Sequence, residues 1–289
     1  MKHPFSLTFA LIIMFAAAQV AGLLIVNQYF DEERTAAEGA PVYKDLPLAL
    51  ERPQLGPVTA LIFIIFAVLI GTGLLFMIIR FKKFSLWKLW YFLSVFITLT
   101  IALAAFIPGL ISAIIAFIAS LLKILKPNFV IHNLTELFIY GGLAAIFVPI
   151  LNVWVAALLL LLISAYDAYA VWKSKHMVKL AKFQTSAGLF AGLSLPYKAA
   201  GVAKPPKEAK VKAVMAQSAV VGGGDIGFPL IFAGTVMLQV GFYKALVIPA
   251  LATIALTILL IIGKKGHFYP AMPFLTAGCL IGYGITLLL

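Results

Sequence analysis

The sequence predicts an all-α membrane protein, a nine-transmembrane-helix bundle with a cytoplasmic amino terminus and a carboxyl terminus outside. Three observations support this fold class. Hydrophobic residues make up 63% of the 289 residues and charged residues only 11%, too few to cover a water-soluble core. Nine apolar runs approach the roughly 20 residues that a helix needs to cross a bilayer. The basic residues gather in every second connection between these runs.

The predicted spans follow the apolar runs and lie at 5–26, 57–79, 89–107, 110–125, 133–150, 153–172, 214–239, 242–262 and 268–288. The first run is longer than the core of a signal peptide, so we interpret it as a retained membrane anchor. Two parts are expected. Residues 1–150 form an amino-terminal bundle of five helices with an outer loop at 27–56, and 151–289 hold helices six to nine with a cytoplasmic connector at 173–213.

Basic residues set the predicted orientation, because they are held on the cytoplasmic side of a membrane. An inside amino terminus places 18 of the 22 Lys and Arg residues in the cytoplasm, all except Arg34, Lys44, Arg52 and Lys244. The net charge of +12 does not indicate nucleic-acid binding, since these residues lie between apolar runs and not on one soluble face.

The connector 173–213 has two parts of different composition. Lys175, Lys179 and Lys182 fall on one helical face, so the first half either lies on the inner membrane surface or forms a solvated basic loop. The stretch 204–210 has the composition of a flexible linker.

Two aspartates occupy predicted spans, where acidic side chains are rare. Six of the ten carboxylates lie in the outer loop, Glu208 lies in the connector, and Glu136 lies near the inner end of the fifth span. Asp167 and Asp225 remain. An aspartate at a helix centre costs about 2.5–3.5 kcal/mol on insertion scales, so the pair indicates function. The alternative is a hydrogen bond that only joins two helices.

The expected depths of the two aspartates bring them together. Asp167 precedes Lys173 by about five residues, in the inner third of the sixth span, and Asp225 follows the expected start of the seventh span at Val214 by about eleven. Two close carboxylates in a low-dielectric site share one proton. One then activates water as a general base while the other acts as a general acid, which is the chemistry of peptide hydrolysis by an aspartyl pair.

Glycines directly precede the second aspartate, in the run Gly222-Gly223-Gly224-Asp225. In mid-span they would weaken the helix and admit water and a second backbone. Glycine-rich spans also pack closely against neighbouring helices, which is the alternative interpretation. A second break occurs at 269–273, where two prolines precede the last span.

Other catalytic classes lack their residues. The four histidines are scattered without an H-E-x-x-H motif, so no metal site is predicted and the proposed chemistry requires no cofactor. Cys279 is the only cysteine and cannot form an internal disulfide. The sequence Gly192-Leu193-Ser194 lacks the following glycine of a serine-hydrolase motif.

Three segments together resemble the presenilin and signal peptide peptidase family of intramembrane aspartyl proteases. Residues 163–171, with Tyr166 and Asp167 at their centre, resemble the Tyr-Asp motif of that family's sixth span. Residues 222–225 match its Gly-x-Gly-Asp motif, and Pro270-Ala271-Met272 lies where the family has Pro-Ala-Leu. The resemblance covers 153–289 in motifs and the earlier residues only in layout.

The resemblance implies a protease that cuts single-span membrane proteins inside the bilayer, with Asp167 and Asp225 as the catalytic pair. It also implies that Pro270, Ala271 and Met272 shape the site, and we expect Tyr166, Gly222 and Gly224 to support it. Methionine in place of leucine is a small change in volume and polarity. The charge distribution matches the presenilin orientation, and the compact connector indicates a prokaryotic homologue in a cell membrane.

Two function classes compete with this hypothesis. A proton-coupled transporter would use the two aspartates as a relay, but no internal repeat is recognisable in the sequence. A scaffolding membrane protein would tolerate asparagine at both positions. Prepilin-type peptidases also use paired aspartates, but with another arrangement of spans and no proline motif like 270–273.

Overall fold

The computed structural model describes residues 4–81, 83–174, 176–177, 180, 183–184, 189–196, 218–264 and 268–289. Nine long helices occur among these residues: α1 Phe5–Tyr29, α2 Pro57–Arg80, α3 Phe84–Ala104, α4 Gly109–Leu125, α5 Phe129–Phe147, α6 Val153–Ala168, α7 Gly223–Val240, α8 Val247–Ile262 and α9 Met272–Thr286.

Short elements connect and extend these helices. Two short helices lie at Glu32–Glu38 and Phe242–Ala245, and 3₁₀ turns lie at Pro47–Ala49 and Val148–Ile150. A π-helical turn, Tyr169–Lys173, continues α6. Two strands, β1 Gly192–Pro196 and β2 Ser218–Gly222, form an antiparallel ladder in which Leu193 pairs with Val221.

Seven helices of the described chain are long and apolar enough to cross a membrane, among them α6 with its π turn and α8 with the short helix before it. The apolar helices α4 and α9 are shorter, with 17 and 15 residues. The chain is therefore a predominantly helical, multi-pass membrane protein, as its composition predicts. Nine spans and the orientation of the termini stay predictions.

The centre of the bundle is built around α1, which packs against α5, α7 and α8. Leu11, Phe15 and Leu23 of α1 are completely buried there. On one side α3 packs between α4 and α5, and on the other α9 packs against α6, α7 and α8. Helix α2 lies at the periphery against α3 and α6, and only 17% of its most apolar stretch is buried.

The loop 27–56, predicted to lie outside, is held together by one arginine. Arg52 donates hydrogen bonds to the carbonyl oxygens of Lys44 and Ala145, at 2.8 and 3.2 Å. Its guanidinium also lies over the rings of Tyr29 and Tyr43. Burial raises the pKa of Tyr43 to about 12, so the loop closes against a neutral phenol at ordinary pH.

The predicted seventh span, 214–239, is wrong over 218–222, and its expected start, Val214, lies outside the described residues. Helix α7 begins at Gly223, and the residues before it form strand β2. Hydropathy alone does not separate a short apolar strand from a helix, and Ala219, Val220 and Val221 suit both. The third and fifth helices begin at Phe84 and Phe129, before the predicted 89 and 133. In the third helix the exposed Lys88 continues the helix without breaking it.

Candidate active site

A cavity of about 510 Å³ lies among α2, α6, α7, α8, the β-hairpin and the segment before α9. Both aspartates that the sequence singles out, Asp167 and Asp225, line it. Most of the remaining wall is apolar and includes Val68, Ile163, Phe228, Ile231 and Leu256. The structure thus brings the two carboxylates into one low-dielectric cavity, as their positions on consecutive predicted spans suggested.

Asp167 lies near the carboxyl end of α6, two residues before the π turn. Its side chain is 9% exposed. The carboxylate Oδ2 accepts a hydrogen bond from the backbone amide of Met272 at 3.1 Å, and the amide of Ala271 also interacts with it favourably. The segment that opens α9 therefore holds one of the two aspartates in place, although it is 105 residues away in sequence.

Asp225 lies in the first turn of α7 and not in the middle of a span. Its Oδ2 accepts a hydrogen bond from the backbone amide of Gly222, the residue that caps the helix, at 3.3 Å. The expectation of a helix weakened in mid-span by glycines is therefore wrong, because these glycines join β2 to α7. Their position at the helix start still leaves the aspartate half-buried at the cavity wall.

A buried glutamine of α1 holds the backbone at the start of α7. Gln19 of α1 is completely buried, and its side-chain amide donates to the carbonyl oxygen of Ile226 at 2.8 Å. This carbonyl belongs to the residue that follows Asp225. The central helix of the bundle therefore contacts the backbone next to the second aspartate.

The β-hairpin is a part of the site that the sequence analysis missed. Phe190, Ala191, Val220 and Val221 line the cavity beside the glycines. The amide of Gly223 donates to the carbonyl oxygen of Ala191 at 3.0 Å, which extends the pairing of the strands to the first residue of α7. The β-branched pair Val220-Val221 followed by glycines was a signal for strand structure, but it falls inside a continuous apolar run.

Helix α5 covers the outer edge of β1 with polar side chains. Asn133 donates to the carbonyl oxygen of Ser194 at 2.8 Å and accepts from its amide at 3.0 Å. His132 Nε2 lies 2.8 Å from the carbonyl oxygen of Gly192. The main-chain groups of Gly192 and Ser194 therefore point toward α5 and away from β2. Val220 is the register partner of Ser194, so its own main-chain groups point away from β1.

Glu136 is buried and not part of the membrane surface. It lies in α5 with no exposed area, and its carboxylate accepts a 2.6 Å hydrogen bond from Lys123 of α4. From the sequence, Lys123 is expected at the inner surface and Glu136 near the inner end of the fifth span. Both lie in a polar cluster inside the bundle, and nothing in the sequence indicates that Glu136 contacts the hairpin.

Of the six residues expected to support the site, five line the cavity. Tyr166, Gly222, Gly224, Ala271 and Met272 line the cavity. Pro270 is buried and is not among the residues that line it. The hydroxyl of Tyr166 lies 2.9 Å from His176 Nε2, so it contacts the start of the connector.

The remaining expectations concern residues away from the two aspartates. In the parts of the chain that the structure covers, no group of three His, Cys, Asp or Glu side chains is placed to hold a metal ion. Lys175, Lys179, Lys182 and the stretch 204–210 lie outside the described residues.

Comparison with known proteins agrees with this architecture. A family model described as signal-peptide peptidase, presenilin aspartyl protease matches residues 35–289. Two solved structures, both described as a presenilin family intramembrane aspartate protease, in C222 and P2 space groups, have the same fold with a TM-score of 0.62 each. They are 19% and 20% identical to this chain, covering 97% and 96% of it and 98% and 96% of their own chains.

No curated protein matches the chain. The family model nevertheless spans most of the sequence, including both aspartates and the segment before α9. The chain therefore belongs to the presenilin and signal-peptide peptidase family of intramembrane aspartyl proteases.

Proposed function

We propose that this protein hydrolyses peptide bonds of single-span membrane proteins within the bilayer, with Asp167 and Asp225 as its catalytic pair. The observation that carries the proposal is the shared cavity: two carboxylates from consecutive long helices line one largely apolar space. A carboxylate in such surroundings is costly. Two of them lining one cavity match the requirement of aspartyl proteolysis, which needs one protonated and one ionised carboxyl group.

The proposed reaction uses the pair as general base and general acid. The ionised carboxylate takes a proton from water while the other carboxyl group protonates the substrate carbonyl, and the roles reverse as the amine leaves. The amides of Ala271 and Met272 hold the Asp167 carboxylate at a fixed position. The amide of Gly222 does the same for Asp225. Neither aspartate then has to reorganise when charge develops between them.

The hairpin supplies a place for the extended substrate. A helical peptide bond is shielded from attack, and an unwound one exposes main-chain groups that lipid cannot satisfy. Helix α5 occupies the outer edge of β1, whereas Val220 of β2 directs its main-chain groups to the other side and lines the cavity. We propose that the substrate pairs with this edge of β2 as an added strand.

The proposed topology has nine spans with the amino terminus inside. Helices α4 and α9 are shorter than a typical span but apolar, and each packs against neighbouring helices of the bundle. The distribution of basic residues supports this orientation. It suits substrates whose amino terminus lies outside.

The test of the function is cleavage by the purified protein in liposomes with a labelled single-span substrate. Mass spectrometry should locate the cut inside the apolar stretch of the substrate. Because the pair shares one proton, activity should follow a bell-shaped pH curve, falling when both carboxyls are protonated and when both are ionised. A hydroxyl-containing mimic of the tetrahedral intermediate should inhibit, and a chelator should have no effect. Cuts only outside the bilayer, or inhibition by the chelator, would contradict the proposal.

Met272 allows the hydrogen bond to Asp167 to be tested apart from packing. Met272→Ala and Met272→Pro both remove the buried side chain, but only proline also removes the amide that donates to Asp167. Proline suits a first helical position but disfavours the αR conformation of the preceding Ala271, so the melting temperatures of the two variants serve as the fold control. We expect Met272→Pro to cleave about tenfold more slowly than Met272→Ala, with Met272→Leu close to the natural protein. Equal turnover of the alanine and proline variants would contradict a role for this amide.

A further inference from the structure

A buried ion pair joins α4 to α5 inside the bundle. Lys123 Nζ and Glu136 Oε1 are 2.6 Å apart, and the two side chains are 1% and 0% exposed. Replacement of such a pair by apolar residues is often neutral or stabilising, because removing both charges from water is expensive. Stability alone therefore does not explain its presence in a chain whose helices pack well without charges.

The carboxylate of Glu136 reaches beyond this pair to the β-hairpin. Its Oε2 accepts the amide hydrogen of Gly192 at 3.0 Å and the hydroxyl hydrogen of Tyr140. Its Oε1 also lies 3.4 Å from the hydroxyl of Tyr91, which is 3.0 Å from the carbonyl oxygen of Phe190. Glu136 thus connects the lysine of α4 to the first residue of β1.

From β1 the contacts continue to the second aspartate. Gly192 is the register partner of Gly222, whose amide donates to Asp225. Tyr140 provides a second, direct contact: it lines the cavity, and a methyl group placed on Gly223 would come within 2.7 Å of its hydroxyl oxygen. Both routes from Glu136 end at the turn that carries Asp225.

We propose that Lys123 and Glu136 are positioning residues, which hold the β-hairpin and through it Asp225. Lys123 fixes the Glu136 carboxylate, and this carboxylate holds the backbone of β1 and the ring of Tyr140, which together set the position of Asp225. The inference rests on the proposed proteolytic function. The contrasting possibility is that the pair only joins α4 to α5.

The decisive variant replaces both charges, Lys123→Met with Glu136→Leu, so that neither is left unpaired in the apolar interior. We expect a modest fall in melting temperature, because two buried charges are removed together but the Gly192 amide and the Tyr140 hydroxyl lose their acceptor. Turnover should nevertheless fall about ten- to a hundredfold in kcat, because small displacements of a reacting group cost this much. Hydrogen–deuterium exchange should accelerate at least about tenfold at the amides of 191–195 and 218–223, with α1 and α8 unchanged.

A matched pair of tyrosines separates positioning from general stability. Tyr140→Phe removes the hydroxyl that contacts Glu136, and Tyr29→Phe removes an equally buried hydroxyl that donates to the carbonyl oxygen of Ile101. We expect Tyr140→Phe to lower kcat several-fold and to speed exchange in the hairpin. Tyr29→Phe should change neither. This pair decides the question if the double variant does not fold.

The outcomes distinguish this inference from the proposed function. If the natural protein cleaves and the aspartate variants do not, but the double variant keeps full kcat and slow hairpin exchange, the positioning role is overturned while the proteolytic function stands. If the natural protein cleaves nothing, the proteolytic function fails. Hairpin exchange in the double variant then still shows whether Glu136 holds β1.

Discussion

Asp167→Asn and Asp225→Asn are each expected to abolish cleavage, with turnover reduced by at least about a thousandfold. Asparagine has nearly the shape of aspartate and keeps an acceptor for the amides of Met272 and Gly222. It does not take up or release the proton that hydrolysis requires. The isosteric change therefore removes the chemistry and keeps most of the contacts.

The double variant adds a second criterion. Two groups that act as one catalytic unit lose activity non-additively, so Asp167→Asn with Asp225→Asn should be no slower than either single variant. Glu38→Gln is the control, since it removes a carboxylate that is exposed in the outer loop, and it should cleave at the natural rate. Melting temperatures confirm that the variants fold. Specific cleavage above about 1% in either single variant would show that the pair is not the catalytic unit.

Much of the fold was predictable because a bilayer imposes strong constraints on sequence. A helix that crosses it must be long and apolar, so the apolar runs indicate the helices even where their ends differ. The same constraint makes a carboxylate in a span conspicuous. Asp167 and Asp225 could therefore be identified by position alone, and the structure places both on one cavity.

The hairpin was not predictable by the same reasoning. Strand β2 lies inside an apolar run, and its partner β1 lies in a connector that composition marks as basic and polar. Pairing of the two depends on contacts that hydropathy does not contain. Glu136 illustrates the same limit, because its partners Lys123, Tyr140 and Gly192 come from α4, α5 and β1.

Gly192→Ala is expected to lower cleavage about a hundredfold by opening this hairpin. Gly192 has a φ of +140°, a conformation that residues with a side chain rarely adopt. A Cβ atom there would lie 2.2 Å from the carbonyl oxygen of Val221 and 2.7 Å from the ring of Phe190. Because the carbonyl oxygen of Val221 belongs to the backbone of the paired strand, the clash is removed only if β1 and β2 separate. That movement displaces the turn that carries Asp225.

Gly241→Ala is the matched control for backbone strain. Gly241 also has a positive φ, +83°, but nothing lies within 4 Å of a Cβ atom added to it, and it follows the far end of α7. Alanine there should cost about 1–3 kcal/mol of stability from strain alone, because φ +83° with ψ 165° is a conformation that only glycine adopts readily, and cleavage should be unchanged. Turnover of both variants, compared at a temperature where both are folded, isolates the steric effect on the hairpin. Natural turnover in Gly192→Ala would mean that the spacing of β1 and β2 does not control the position of Asp225.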